Sequence, residues 1–250
     1  MSDWIQYPLL VVVGIIAGVL NVIAGGGSFL TLPILIFMGL PATVANGTNR
    51  VGILLQNMGA VWGFHRHRVL DWRCILWAAL PATLGSILGT WAALEVGDLT
   101  FKKILAFLMI GVSLWTLWDP LSRRDKGTGD SQTVHIGGLA FGFFLVGVYG
   151  GFVQAGVGFL VLAATSMAGL DLVRGNAVKV LSILAFTVVS LALFASQGKV
   201  EWITGLVLAA GTFTGGLIGV RLTVLKGHGW IKQFVTAAII ILALKLLLTG

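Results

Sequence analysis

NVIAGGGSFLTLPILIFMGLPATVANGTNRVGILLQN, residues 21–57, is the stretch on which the fold turns. It sets three consecutive glycines, a serine, two prolines, four asparagines and an arginine into a chain that is otherwise largely hydrocarbon. Gly25, Gly26 and Gly27 remove side chains at successive positions, so a helix running up to Ala24 loses propensity and the backbone gains room for a close neighbour. A helix is expected to break here. Inside a bilayer the freed N–H and C=O groups need protein, water or a bound ion as partners, because lipid offers none. The break is therefore a candidate binding site.

The surrounding composition sets the class. Of 250 residues, 57% are hydrophobic and 10% charged, with a mean hydropathy of +0.99; soluble domains carry about 25% charged residues. The long apolar segments lack strand-like alternation, which argues against an outer-membrane barrel and for an all-α, polytopic helical membrane protein. The net charge of +7 falls mostly in loops and reads as an orientation signal rather than nucleic-acid affinity. One cysteine, Cys74, excludes an internal disulfide and a cysteine metal cluster. No cofactor and no metal is expected. The N-terminal MSDWIQYPLLVVV lacks a basic region and a small-residue cleavage site, so it reads as the first membrane segment. The expected setting is a cell inner membrane, with the bilayer and a small anion as partners, monomer and homodimer both open.

Apolar runs fall near Tyr7–Ala24, Phe29–Gly39, Val44–Phe64, Trp72–Leu94 and Phe101–Trp118, and then, after a polar connector at Asp119–Thr133, near Val134–Gln154, Phe159–Gly169, Arg174–Ala195, Trp202–Leu222 and Ile231–Leu248. The two sets superimpose without gaps at a shift of 130 positions: Gly26 on Gly156, Phe29 on Phe159, Gly39 on Gly169, Asn46 on Asn176, Trp72 on Trp202, Gly85 on Gly215 and Lys102 on Lys232. The chain thus reads as a first repeat at 1–118, a cytoplasmic connector at 119–133 and a second repeat at 134–250. Paired interrupted segments in two halves point to a transporter's binding site.

Phe29–Gly39 is too short to cross alone, given that about 20 residues span the hydrocarbon. A re-entrant hairpin turning at the glycines leaves three crossings per half, and an odd number inverts the second repeat. Under that arrangement nine basic residues lie on one side (Arg66, Arg68, Arg73, Arg123, Arg124, Lys126, Arg221, Lys226, Lys232) and four on the other (Lys102, Lys103, Lys199, Lys245). An even number gives eight against five, so the positive-inside bias favours inverted repeats with both termini extracytoplasmic.

Three basic residues are left over: Arg50, Arg174 and Lys179. Placing a cation at mid-membrane costs about 2.5–3.5 kcal/mol, so such a residue is paired or functional by default. Most carboxylates fall in loops or at segment ends; Asp171, three positions before Arg174, is placed to pair with it. Arg50 and Lys179 remain for an anion. Backbone N–H groups around Gly26, Gly27, Ser28 and Gly156, at the starts of half-helices, add donors and a positive dipole end. Asn21, Asn46, Asn49, Gln56, Asn57, Gln154, Asn176 and Ser182 are candidates to complete the shell, with Thr48 beside them. The plain alternative is that the cations snorkel to the interface and the glycines and amides serve helix packing. Gly85, Gly89, Gly215 and Gly219, spaced as GxxxG, read as packing.

The segments AGGGSFLTLPIL, ANGTNR and QAGVGFLVLAATSMAGLDLVRGNAVK resemble the two halves of the TauE/SafE family of sulfite and organosulfonate exporters, over nearly the whole chain. The resemblance implies a permease for a small sulfur-containing anion such as sulfite, thiosulfate or a C2 organosulfonate. In the second half Val157 stands where the first has Gly27. An anion channel is the runner-up, and an intramembrane enzyme built on Ser28 a weaker one, since His65, His67, His135 and His228 lie in loops or at segment ends.

Overall fold

Residues 3–23, 25–66, 72–118, 135–170 and 172–226 are described by a computed structural model, and among them every regular element is a helix. These are α1 (Asp3–Ile23), α2 (Ser28–Phe37), α3 (Ala42–Arg66), α4 (Trp72–Glu95), α5 (Asp98–Trp118), α6 (Ile136–Phe152), α7 (Val157–Met167), α8 (Leu172–Ser196) and α9 (Trp202–Lys226). The predicted connector at Asp119–Thr133, the last segment at Ile231–Leu248 and Asp171 lie outside the described residues.

The shift of 130 carries α3 onto α8 end for end and α4 onto α9 within a residue. It also carries the hydrogen bonds of the breaks. Phe29 N–H donates to Gly26 O, and Phe159 N–H to Gly156 O, each at 3.1 Å. Both short helices end alike: Leu40 N–H reaches Leu35 O, Leu170 N–H reaches Thr165 O, and Gly39 and Gly169 turn left-handed at φ 101° and 89°. This is the glycine C-terminal motif that satisfies the last carbonyls of a helix.

Helix α1 begins at Asp3, four residues before the predicted Tyr7, and is 21 residues long. Its segment Ile5–Ile23 is long and apolar enough to cross a membrane, as are Trp72–Glu95, Val173–Ser196 and Trp202–Thr223. The exposed face of α4 carries Trp72, Leu76, Leu80, Leu84, Leu88 and Trp91. Of the three exposed tryptophans of α4, Trp72, Trp77 and Trp91, the outer two stand nineteen residues apart, which at the helical rise is about 28 Å and matches a hydrocarbon layer of roughly 30 Å with an aromatic at each boundary. The chain is a multi-pass membrane protein.

Glycines set the helix pairing. A Cβ on Gly147 or Gly151 of α6 would strike the carbonyls of Ala82 and Ser86 of α4, and one on Gly85 or Gly89 of α4 would strike those of Phe144 and Val148 of α6. In a second pair Gly211 and Gly215 of α9 meet Val11 and Ile15 of α1 in the same way. The sequence reading of Gly85, Gly89 and Gly215 as packing residues is met. These contacts advance in step, so α4 and α6 run parallel, as do α1 and α9. Each pair takes one helix from each half.

Helix α3 lies between them. It runs parallel to α9, with Gly52 against Leu208, Gly59 against Phe213 and Gly63 against Val220. Against its own repeat-mate α8 it runs the other way: Gly47 and Arg50 meet Phe194, Val51 shares a cluster with Leu191, and Ala60 shares one with Ala177 and Val180. Its N-terminal end is held by Asp98, whose Oδ1 accepts from the Thr43 N–H at 3.0 Å and its hydroxyl at 2.6 Å.

Candidate functional site

The two breaks lie back to back. A Cβ on Gly25 would overlap Gly158 and a Cβ on Gly158 would overlap Gly25, so here two backbones touch where side chains are impossible. Gly25 and Gly156 adopt left-handed φ of 86° and 69°. Phe29, the second residue of α2, covers Gly156 and stacks on Phe159 with ring centroids 6.4 Å apart. The N-terminal ends of α2 and α7 therefore meet, bringing together the positive ends of two helix dipoles, although the N–H groups of Phe29, Leu30, Thr31 and Phe159 are already bonded to carbonyls of the breaks.

Both predicted cations are buried, Arg50 at 0% exposure and Lys179 at 1%. Each reaches into the opposite half. The Arg50 guanidinium donates through Nη2 to Gly151 O at 2.6 Å, in the last turn of α6. Lys179 donates through Nζ to Val22 O at 2.8 Å and Asn21 O at 3.3 Å, in the last turn of α1. Gly151 and Asn21 are equivalent at the shift of 130. A helix C-terminus is the negative end of its dipole, so each cation sits where a positive charge is favoured, by about 0.3–2 kcal/mol. Neither cation snorkels. The two are not themselves equivalent, since Lys179 falls on Asn49 and Arg50 on Val180.

Around Arg50 several buried polar groups are bonded in short separate runs. The Arg50 guanidinium lies 4.7 Å from the Phe194 ring centroid. The Thr90 hydroxyl is 3.2 Å from Gly151 O and 2.9 Å from Ser190 Oγ. Gln154 Nε2 bonds Thr187 Oγ1, one turn before Ser190 on α8. Asn46 Nδ2 donates to Phe152 O at 2.9 Å, and the Thr31 hydroxyl to Asn49 Oδ1 at 2.6 Å. Around Lys179, Asn21 Nδ2 donates to Gln56 Oε1 at 3.2 Å.

Several buried atoms here have no partner among the described residues: Arg50 Nε and Nη1, Asn46 Oδ1, Asn49 Nδ2, Ser28 Oγ, Gln154 Oε1 and Ser182 Oγ. Buried polar groups are ordinarily hydrogen-bonded, and an unmet one costs about 1–3 kcal/mol, so these atoms stand open to a further partner. All six residues were singled out in the sequence. Asn176 is buried as well. Asn57 instead turns back on its own helix, donating to Ile53 O at 2.8 Å, and Thr48 accepts from the Glu201 N–H at 2.9 Å. Arg174 lies exposed on the first turn of α8.

The sequence reading passed over Thr31, Thr90, Thr187, Ser190 and Phe194. Thr187 had a signal, because it falls on Asn57 at the shift of 130. Thr90 and Ser190 had none, falling on Val220 and Ala60.

The profile of a family described as sulfite exporter TauE/SafE matches residues 10–246. A probable membrane transporter protein of Haemophilus influenzae is 30% identical over 231 residues, covering 91% of this chain and 89% of that one. The probable membrane transporter protein ORF9 of a Sinorhizobium species is 30% identical over 95% of this chain and 91% of its own. The probable membrane transporter protein YfcA of Escherichia coli K12 is 30% identical over 96% of this chain and 88% of its own. No solved structure matches. A helical membrane chain with paired helix breaks, two buried cations and this coverage by one family belongs to the sulfite exporter TauE/SafE family of membrane transporters, and not among enzymes.

Proposed function

We propose that this protein exports a small sulfur-containing anion, such as sulfite, thiosulfate or a C2 organosulfonate, held between two inverted repeats whose broken helices meet near mid-membrane. The observation that carries this reading is Arg50: fully buried, bonded through Nη2 to one carbonyl, and left with Nε and Nη1 unspent. A buried guanidinium with free donors is a receptor for an oxyanion. Neutral donors nearby and the facing N-terminal ends of α2 and α7 suit the same guest. Inversion is supported by the antiparallel run of α3 against its repeat-mate α8. The basic-residue bias then puts the Arg66 end of α3 in the cytoplasm and the chain in an inner membrane, with both termini outside.

Neither break carries a carboxylate among the described residues, so the driving force is the anion gradient with the membrane potential, worth about 2.3 kcal/mol per charge at 100 mV. The test is efflux from proteoliposomes preloaded with sulfite or thiosulfate. Saturable efflux, faster with the interior negative and lost in Arg50→Met, is expected. Efflux equal to that of protein-free liposomes overturns the proposal, and non-saturating flux favours a channel.

A further inference from the structure

We propose that the anion seat lies off the pseudo-two-fold axis, on the α6 side, built from Arg50, Thr90, Gln154, Thr187 and Ser190, while Lys179 holds the end of α1 instead of the substrate. This rests on the anion-transporter reading above and assigns its contacts.

The two cations have the same relation to the fold and different amounts left to give. Lys179 Nζ meets two carbonyls, Asn21 O and Val22 O, and the adjoining Asn21 amide is closed by Gln56. That side is a helix cap that spends two of the three ammonium N–H groups. Arg50 meets one carbonyl and keeps Nε–H and Nη1 for a further acceptor. The unspent atoms gather around it: Asn46, Asn49 and Arg50 occupy a single turn of α3, and Gln154 Oε1 lies on the break that follows α6. On the Lys179 side Ser182 Oγ, one turn along α8, is in the same state.

Hydroxyls complete the seat. Thr90, Thr187 and Ser190 are each buried at 0% exposure. They connect Gly151 O, the Arg50 acceptor, to the Gln154 amide through one turn of α8. A hydroxyl rotates to donate or accept, and an amide reverses its oxygen and nitrogen, so with Thr187 donating to the amide oxygen, Gln154 turns two N–H groups inward. Donors from a guanidinium, an amide and hydroxyls on several helices fit an anion with two or more acceptor oxygens. A halide offers the same donors a single acceptor centre instead of two or three. Phe194 beneath the guanidinium and Phe29 over the break add apolar ring surface to the seat, and a low local dielectric strengthens a charged contact.

The experiment is thermal unfolding of the detergent-purified full chain, titrated with sulfite, thiosulfate and chloride. Wild type is expected to be stabilised by sulfite or thiosulfate at concentrations at least tenfold below any effect of chloride. Arg50→Lys is expected to weaken that response tenfold or more, and Thr90→Val and Thr187→Val threefold or more each. Lys179→Arg, still able to cap two carbonyls, is expected to lose less than threefold. Thr212→Val, which removes a buried α9 hydroxyl from the Gly52 carbonyl of α3, is expected to respond as wild type. If Thr90→Val and Thr187→Val respond as Thr212→Val does, the seat is wrong even though the transporter reading stands, and that comparison holds if the Lys179 variant does not fold. A loss in Lys179→Arg matching that in Arg50→Lys also overturns it. A wild type insensitive to both sulfur anions removes the reading and the seat together.

Discussion

Arg50 and Lys179 illustrate how a charge is kept inside a membrane protein. Each is bonded to main-chain carbonyls at the end of a helix from the opposite half, which offsets part of the cost of leaving water without any carboxylate. For Lys179 this cap accounts for the residue. Lys179→Met is expected to lower the stability of the ligand-free protein by about 1–2 kcal/mol, because two carbonyls at a helix break lose their donor. Thermal unfolding in detergent measures it, and a rise in melting temperature would contradict the assignment. For Arg50 the cap leaves donors over. Arg50→Met is therefore expected to abolish sulfite or thiosulfate efflux from proteoliposomes while the protein still inserts and purifies as a folded species.

At the scale of elements, the glycines of the breaks and turns divide by what surrounds them. Gly39 is left-handed at φ 101° with nothing near its missing Cβ. Gly39→Ala is thus expected to cost only the conformational strain of a left-handed alanine, about 1–2 kcal/mol, with efflux retained. Gly158 has an ordinary φ, yet its Cβ would overlap the Gly25 backbone. Gly158→Ala must push the two breaks apart, and overpacking of that kind costs about 1–3 kcal/mol and displaces the N-terminal ends of α2 and α7. Comparing efflux per folded molecule for the two variants checks this. Equal efflux from both would mean that the contact between the breaks has no part in transport.

For the whole molecule the decisive relation is the antiparallel run of α3 and α8. If the halves are inverted across the membrane, the far ends of these helices open to opposite sides. His65 at the end of α3 and Gln197 just past α8 are both exposed. In a Cys74→Ser background, His65→Cys is expected to react with an impermeant maleimide only after cells are opened, and Gln197→Cys in intact cells. Labelling of both from the same side would exclude the inverted arrangement.

The sequence by itself was enough for the helices and for the break at Gly25–Gly27, because these follow from hydrophobic run length and glycine's lack of a side chain; the gapless register at 130 is a property of the sequence alone. It also sufficed to single out Arg50, Lys179 and the buried amides, since polar groups in a long apolar helix stand out against their background. It had no means of telling the two cations apart: how many donors a side chain has left depends on which carbonyls from the other half arrive beside it. Arg174, set apart in the sequence by the nearby Asp171, lies exposed at the start of α8. Thr90 and Ser190, ordinary in their own helices, became part of the cluster only when α4, α6 and α8 were brought together. Their role is a matter of distance between segments far apart in the chain, and that distance exists only in the folded protein.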